Sequence, residues 1–177
     1  MLLLREDLHP RAIAEKLGTN HMTVSRKLRE LREDNCVDFR TEGKNKVFFV
    51  KKTLEGRNAA ATAEIYRQSQ AARKYPVLRG IFRTIQDEPG IQLAILFGSY
   101  AKGFATRNSD IDIFIETPDA SLKNQLEQRN SSLSVKIGGF DLESPLIREI
   151  IKDHVIIRGV EAYFEKTGFF RERQGAA

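Results

Sequence analysis

Two rhythms of apolar residues alternate along this chain. Between residues 11 and 34 the rhythm is helical. Ile13, Ala14 and Leu17 share one face of a short helix over 11–17 that Gly18 ends, and Val24, Leu28 and Leu31 recur at i, i+4 and i+7 of a second helix from His21 to Asp34. Thr19 and Asn20 supply the turn and cap between them. The period then drops to two. Val37–Arg40 and Lys46–Val50 read as strands about a glycine-containing loop, Thr41–Asn45, which makes a hairpin. A long helix with a thin apolar face follows over Arg57–Lys74, and Pro76 starts another to Asp87 with Leu78, Ile81, Phe82 and Ile85 inward. Ile91–Phe97 is an apolar run of strand length that stops at Gly98. In Ile111, Ile113 and Ile115 the isoleucines alternate with Asp110, Asp112 and Phe114, the pattern of a strand. Asp119–Asn130 reads as a helix. A third strand region is expected over Leu133–Ile137 and Phe140–Leu142, broken at Gly138-Gly139. Pro145–Ile151 and Val160–Phe164 read as helices on either side of a short apolar stretch, His154–Ile157, and Phe169–Ala177 as a frayed tail.

This alternation of helices and strands implies an α/β (α+β) chain of two parts. The expected boundaries are 1–52 for a helix-turn-helix with hairpin, 53–75 for a connecting helix, 76–168 for a small mixed-sheet domain with flanking helices, and 169–177 for a tail. At 177 residues, 41% hydrophobic and 30% charged, the chain can fill two small cores. No apolar run approaches the ~20 residues that span a bilayer, so no membrane partner is expected. A single cysteine, Cys36, forms no internal disulfide, and no export signal is evident; the cytoplasm is the expected compartment. The net charge of +5 is uneven. Residues 1–52 carry 12 Lys/Arg against 8 Asp/Glu, whereas residues 91–177 carry 11 against 12. The asymmetry points to an anionic partner for the N-terminal half.

The chemistry concentrates in Leu96-Phe-Gly-Ser-Tyr-Ala-Lys-Gly103 and Ser109-Asp-Ile-Asp-Ile-Phe-Ile115. A strand places Asp110 and Asp112 on one face, and two neighbouring carboxylates repel unless a cation lies between them. Hard divalent ions suit such oxygens and bring phosphates with them. Gly98 lets backbone approach a ligand, and a helix starting after it would aim free N–H groups at an anion. Together Gly98, Ser99, Asp110 and Asp112 resemble the signature of the DNA polymerase beta-like nucleotidyltransferase superfamily, and Tyr100-Ala-Lys-Gly103 resembles its small, minimal members. The resemblance covers roughly residues 76–165. It implies transfer of a nucleoside monophosphate from an NTP, expected to be ATP, with Mg2+ or Mn2+ held by Asp110, Asp112 and a third acid on an adjacent strand. Asp141 is the expected third acid, with Glu143 the alternative. Ser99, with Gly98, would meet the beta or gamma phosphate, Lys102 would screen triphosphate charge, and Ser109 would steer the Asp110 backbone.

The N-terminal part resembles winged-helix DNA-binding domains, on Ala14-Glu-Lys-Leu-Gly-Thr19, Thr23-Val-Ser-Arg26 and Leu28-Arg-Glu-Leu31. Such domains begin with a full first helix. Here only Met1–Leu8 remain for it, so either that helix is short or the start is truncated. Asn20, His21, Ser25, Arg26 and Arg29 on the second helix, with Lys44 and Lys46 on the wing, are the expected contacts to double-stranded DNA. Three functions follow: an active transferase coupled to DNA binding; a DNA-binding regulator that only senses nucleotide; or an antitoxin-like protein that binds or modifies a partner toxin. A homodimer is expected, with the helix of residues 57–74 and its run Ala59–Ala63 forming part of the contact. The acceptor is not legible in the sequence.

Overall fold

The computed structural model describes residues 2–171. The elements are α1 (Pro10–Leu17), α2 (His21–Glu33), β1 (Val37–Glu42), β2 (Asn45–Val50), α3 (Leu54–Lys74), α4 (Leu78–Asp87), β3 (Leu93–Phe97), α5 (Gly98–Lys102), β4 (Ile111–Glu116), α6 (Ser121–Arg129), β5 (Leu133–Ile137), α7 (Pro145–Lys152), β6 (Val155–Arg158) and α8 (Val160–Thr167). They divide into two compact units. One runs to Ala63 and takes back the chain from Phe170; the other is Glu64–Phe169. The division falls inside α3. Most of the tail expected at Phe169–Ala177 lies outside the described residues.

In the first unit, α1 ends at Gly18, which adopts φ 58°, and its backbone N–H caps the Ala14 and Glu15 carbonyls. Glycine takes that left-handed conformation without steric cost, so the chain turns at once into α2. Asn20 caps α2, its Oδ1 accepting the Met22 N–H at 2.7 Å. β1 and β2 pair antiparallel as a hairpin, with Asp38 opposite Phe49 and Glu42 opposite Asn45. Leu8 adds an isolated antiparallel bridge to Phe48. Leu8, Ile13, Ala14, Val24, Leu28, Cys36, Val37 and Phe48 form the core. Ahead of α1 stands a single 3-10 turn, Leu2–Leu4. An apolar cleft of about 520 Å³ is bordered by Leu3, Ile13, Leu17, Val24, Leu28 and Ala60. Leu17, expected inside, is 58% exposed, whereas Ala60, expected at an alanine-lined contact with a second copy, is 2% exposed. Phe170 belongs here too: the Arg57 guanidinium lies over its ring, 5.2 Å from the centroid.

The second unit is built on a four-stranded mixed sheet in the order β5-β4-β3-β6. β3 pairs antiparallel with β4 and with β6, while β4 and β5 run parallel through the crossover helix α6. Both faces are covered. Ala94, Leu96, Ile111, Ile113, Ile115 and Val135 pack with Leu78, Ile81, Phe82 and Ile85 of α4 and Leu122 and Leu126 of α6. On the other face Phe114 meets Phe140, which meets Tyr163 of α8, in edge-on ring contacts of 6.0 and 5.8 Å. Ile95, Ile113 and Ile115 have no exposed surface, so the two strands that flank the Gly-Ser loop and the acidic pair form a rigid base.

One strand is absent where the sequence suggests it. The chain leaves β5 at Ile137, and residues 138–144 are turn and irregular backbone. Asp141 N–H bonds to Gly139 O at 3.0 Å, and Ser144 N–H to Asp141 O at 3.1 Å. These are local turn bonds, made in preference to a ladder, before Pro145 opens α7.

Candidate active site

β3 ends at Phe97, which pairs with Asp112 at the start of β4. The antiparallel register therefore sets the Gly98-Ser99 turn beside the acidic pair. At Gly98 φ is +68°, and a Cβ built there would lie 2.5 Å from Asp112 Oδ2. Only a residue without a Cβ lets the backbone pass so close to this carboxylate. α5 opens at Gly98, and the N–H groups of its first turn have no acceptor within the helix. Ser99 is half-buried in that turn, and Gly103, in a left-handed conformation, closes it.

Asp110 is exposed and directly precedes β4; Asp112 is half-buried within it. Burial pushes the Asp112 carboxyl above the ordinary aspartate range, and the nearby charge of Asp110 pushes in the same direction. The Ser134 hydroxyl and the charge of Lys136 oppose this shift. Sequence reasoning missed both residues. The signal was the alternation of Leu133, Val135 and Ile137, which puts Ser134 and Lys136 together on the opposite face of β5.

The other expected residues divide. Ser109 Oγ accepts the Thr106 N–H at 2.9 Å and lies 3.2 Å from Thr106 Oγ1, which ties down the loop entering β4. Lys102 is at this end of the sheet but pairs with Glu149 of α7 at 3.0 Å, so part of its charge is already neutralised. Asp141 is not brought to the pair. β4 and β5 run parallel with Ile111 beside Leu133 and Ile115 beside Ile137, so whatever follows β5 emerges at the far end of β4. The Phe140 N–H bonds to Glu116 Oε1 at 3.3 Å, which fixes that end. From Asp112 to Glu116 a strand advances about 13 Å. Asp141 caps its own turn, its Oδ1 accepting the Glu143 N–H at 3.0 Å, and Glu143 pairs with Arg148. The expectation of a third ligand at Asp141, or at Glu143, is thus corrected. Among the described residues no group of three or more His, Cys, Asp or Glu could hold a metal ion.

On α2 of the first unit, Met22, Thr23, Ser25, Arg26 and Arg29 border a shallow surface depression. Arg26 is 72% exposed, with Glu30 at 3.9 Å. His21 Nε2 lies 3.5 Å from Ser25 Oγ, and the Asn20 carbonyl is committed to its cap. Lys44 projects from the hairpin turn, while Lys46 lies 4.2 Å from the centre of the Phe39 ring.

Residues 78–164 match the family described as "Nucleotidyltransferase domain". This stretch is a nucleotidyltransferase domain. The enzyme class expected from the Gly-Ser and Asp-x-Asp elements is thereby met, and β3, α5 and β4 all lie within the nucleotidyltransferase domain. No curated protein matches the chain. Two solved structures resemble it in part. One is a toxin–antitoxin with AMP-PNP, with 26% identity over 51% of this chain and 76% of that one, at a TM-score of 0.37. The other is a mutant MntA–HpeT toxin–antitoxin, with 24% identity over 55% of this chain and 80% of that one, at a TM-score of 0.36. No helix among the described residues is long and apolar enough to cross a membrane.

Proposed function

We propose that the nucleotidyltransferase domain transfers a nucleoside monophosphate from an NTP to an acceptor oxygen, and that the first unit is a winged helix that binds duplex DNA. The observation that carries the first part is the pressing of the Gly98 backbone against the Asp112 carboxylate, with Asp110 alongside. The donor set fits a hard divalent cation: two carboxylates, one of them disfavoured as an ion until a positive charge arrives. Mg2+ is commonly held by one or two carboxylates plus substrate phosphates. Asp110 and Asp112 would hold it. When bound, such an ion neutralises phosphate charge and activates the attacking oxygen.

The chain's own groups do the rest. The N–H groups of the Gly98-Ser99 turn and the Ser99 hydroxyl bind phosphate oxygens beside the acidic pair. The acceptor oxygen attacks the alpha-phosphorus, its proton passes to solvent or a carboxylate, and the bond to the pyrophosphate oxygen breaks. The Ser134 hydroxyl favours the ionised form of Asp112. The direct test is incubation of the full chain with labelled NTPs, Mg2+ and host lysate. Label appearing in an acceptor, and lost with Asp112→Asn, supports transfer. A second reading, in which the site binds nucleotide without transferring it, draws on the absence, among the described residues, of a third acid beside Asp112. Nucleotide binding without any labelled product favours that reading.

The DNA reading draws on the exposed outer face of α2 and the lysine at the hairpin turn. Duplex binding by the full chain should weaken steeply with salt, since Lys and Arg displace counterions. Salt-independent binding, or none, turns the module into a docking surface. A homodimer also remains part of the reading. Leu54 and Ile65, 70% and 55% exposed, lie about three turns apart and so on nearly one side of α3, with Tyr66 adjacent.

A further inference from the structure

The wall of the site opposite Gly98 is made by β5, one of the two edge strands of the sheet. Asp112 stands beside Ser134, and Phe114 beside Lys136. Residues two apart on a strand share a face. Ser134 and Lys136 therefore lie on the Asp112 side, where the hydroxyl and the positive charge both favour its ionised form. This is the adjacent-strand position from which a third acid would have to reach. It offers a hydroxyl and an ammonium, while Asp141 is carried by the parallel register to the other end of the strand.

We propose that Lys136 takes the place of a second metal ion, so that the Asp110–Asp112 pair accepts one divalent cation with each bound triphosphate. The inference rests on the nucleotidyltransferase reading above. A further dication on the β5 side would need a carboxylate from that strand, and would meet the positive charge of Lys136 instead. Like charges at short range in a partly desolvated site repel strongly. The ammonium supplies a positive charge on the same face of the sheet. Lys136 is in this account a positioning residue: its charge favours the ionised form of Asp112 from the neighbouring strand.

Counting ions tests this without reference to turnover. The full chain is titrated with Mn2+ in the presence of a non-hydrolysable ATP analogue, and free Mn2+ is read by electron paramagnetic resonance. The native chain should bind one Mn2+ per bound nucleotide. Lys136→Arg should keep that count. Lys136→Ala should tighten Mn2+ by about 3- to 10-fold. Ser134→Asp combined with Lys136→Ala should admit a second ion. Circular dichroism and melting confirm that each variant is folded, and Lys136→Ala, an exposed position, keeps the test decisive where the double variant fails to fold. Two ions in the native chain, both lost in Asp112→Asn, overturn this inference and leave the transferase reading standing. No ion-dependent nucleotide binding, or binding unaffected by Asp112→Asn, overturns both.

Discussion

Replacing Gly98 with alanine should uncouple the fold from the site. Two effects act at this position. A side chain at φ +68° is strained, by about 1–2 kcal/mol for an L-residue in the left-handed region. The new methyl would also fall 2.5 Å from Asp112 Oδ2, well inside van der Waals contact, so the carboxylate must swing away. The strain alone should lower the apo melting temperature by about 2–8 °C. The displaced carboxylate should weaken the response to ligand. At about 100 times its dissociation constant a ligand stabilises the folded state by ~2.7 kcal/mol, and Gly98→Ala should lose most of that. The assay is differential scanning fluorimetry of native and variant chains, with and without Mn2+ and a non-hydrolysable ATP analogue. A Gly98→Ala chain that melts as the native does and keeps the full ligand shift would refute the claim that the backbone must pass close to Asp112.

Replacing Asp110 and Asp112 together with asparagine should abolish the ligand-dependent rise while leaving the apo chain folded; an unchanged rise excludes these carboxylates as the ion's holders. Acidification should weaken Mn2+–nucleotide binding sooner than for an exposed aspartate, because burial raises the value at which Asp112 takes up its proton. After correction for protonation of the free nucleotide, affinity that is flat down to about pH 4 contradicts this. In the apo chain the sign reverses: ionised Asp112 costs stability above its folded value and the cost disappears as pH falls through it, so Asp112→Asn should melt no lower than native at pH 7, as fluorimetry can check. In filter binding, Arg26→Ala should reduce preference among duplex sequences, whereas Lys44→Ala should weaken all of them alike and flatten the salt slope by about one. Sedimentation at high micromolar concentration should show a dimer weakened by Ile65→Glu, and a native chain that stays monomeric there removes the dimer.

Most of the architecture was legible because its signals are local. The i, i+4, i+7 spacing of Val24, Leu28 and Leu31 and the glycine at 18 specify two helices about a turn without reference to anything distant. The alternation in Ile111–Ile115 specifies β4, although Phe114 breaks the exposed side because α8 and Phe140 cover that face. Asp141 was misplaced because strand direction is a non-local property. Nothing within Leu133–Ile137 tells whether β5 runs with β4 or against it, and the answer decides which end of the sheet the following acid reaches. Asp141 was also read as a strand residue, whereas Gly138-Gly139 releases the chain and its carboxylate is satisfied within a turn. The alternation in β5 placed Ser134 and Lys136 on one face but did not single them out, since a serine and a lysine alternating with aliphatic residues describe any half-exposed strand. Leu17 and Ala60 exchanged their expected exposures, because helical spacing tells which residues share a face and not how much of that face the neighbouring elements cover.

The return of Phe170 to the unit formed by the first residues has a consequence for how the molecule is made and cut. The transferase unit is, in chain order, an insertion between two pieces of the other. On the ribosome the helix-turn-helix and hairpin emerge first, yet the ring that Arg57 covers, and the Arg171 carbonyl that receives the Lys52 ammonium, follow only after the whole transferase unit. These contacts thus form only after the transferase unit has been synthesised. A fragment ending after α3 would lack them, so a weak or unstable N-terminal fragment would report a missing piece of its own structure rather than a missing activity. Cleavage just ahead of Phe170 would, by the same connection, be felt at Lys52 and Arg57, more than a hundred residues earlier in the chain.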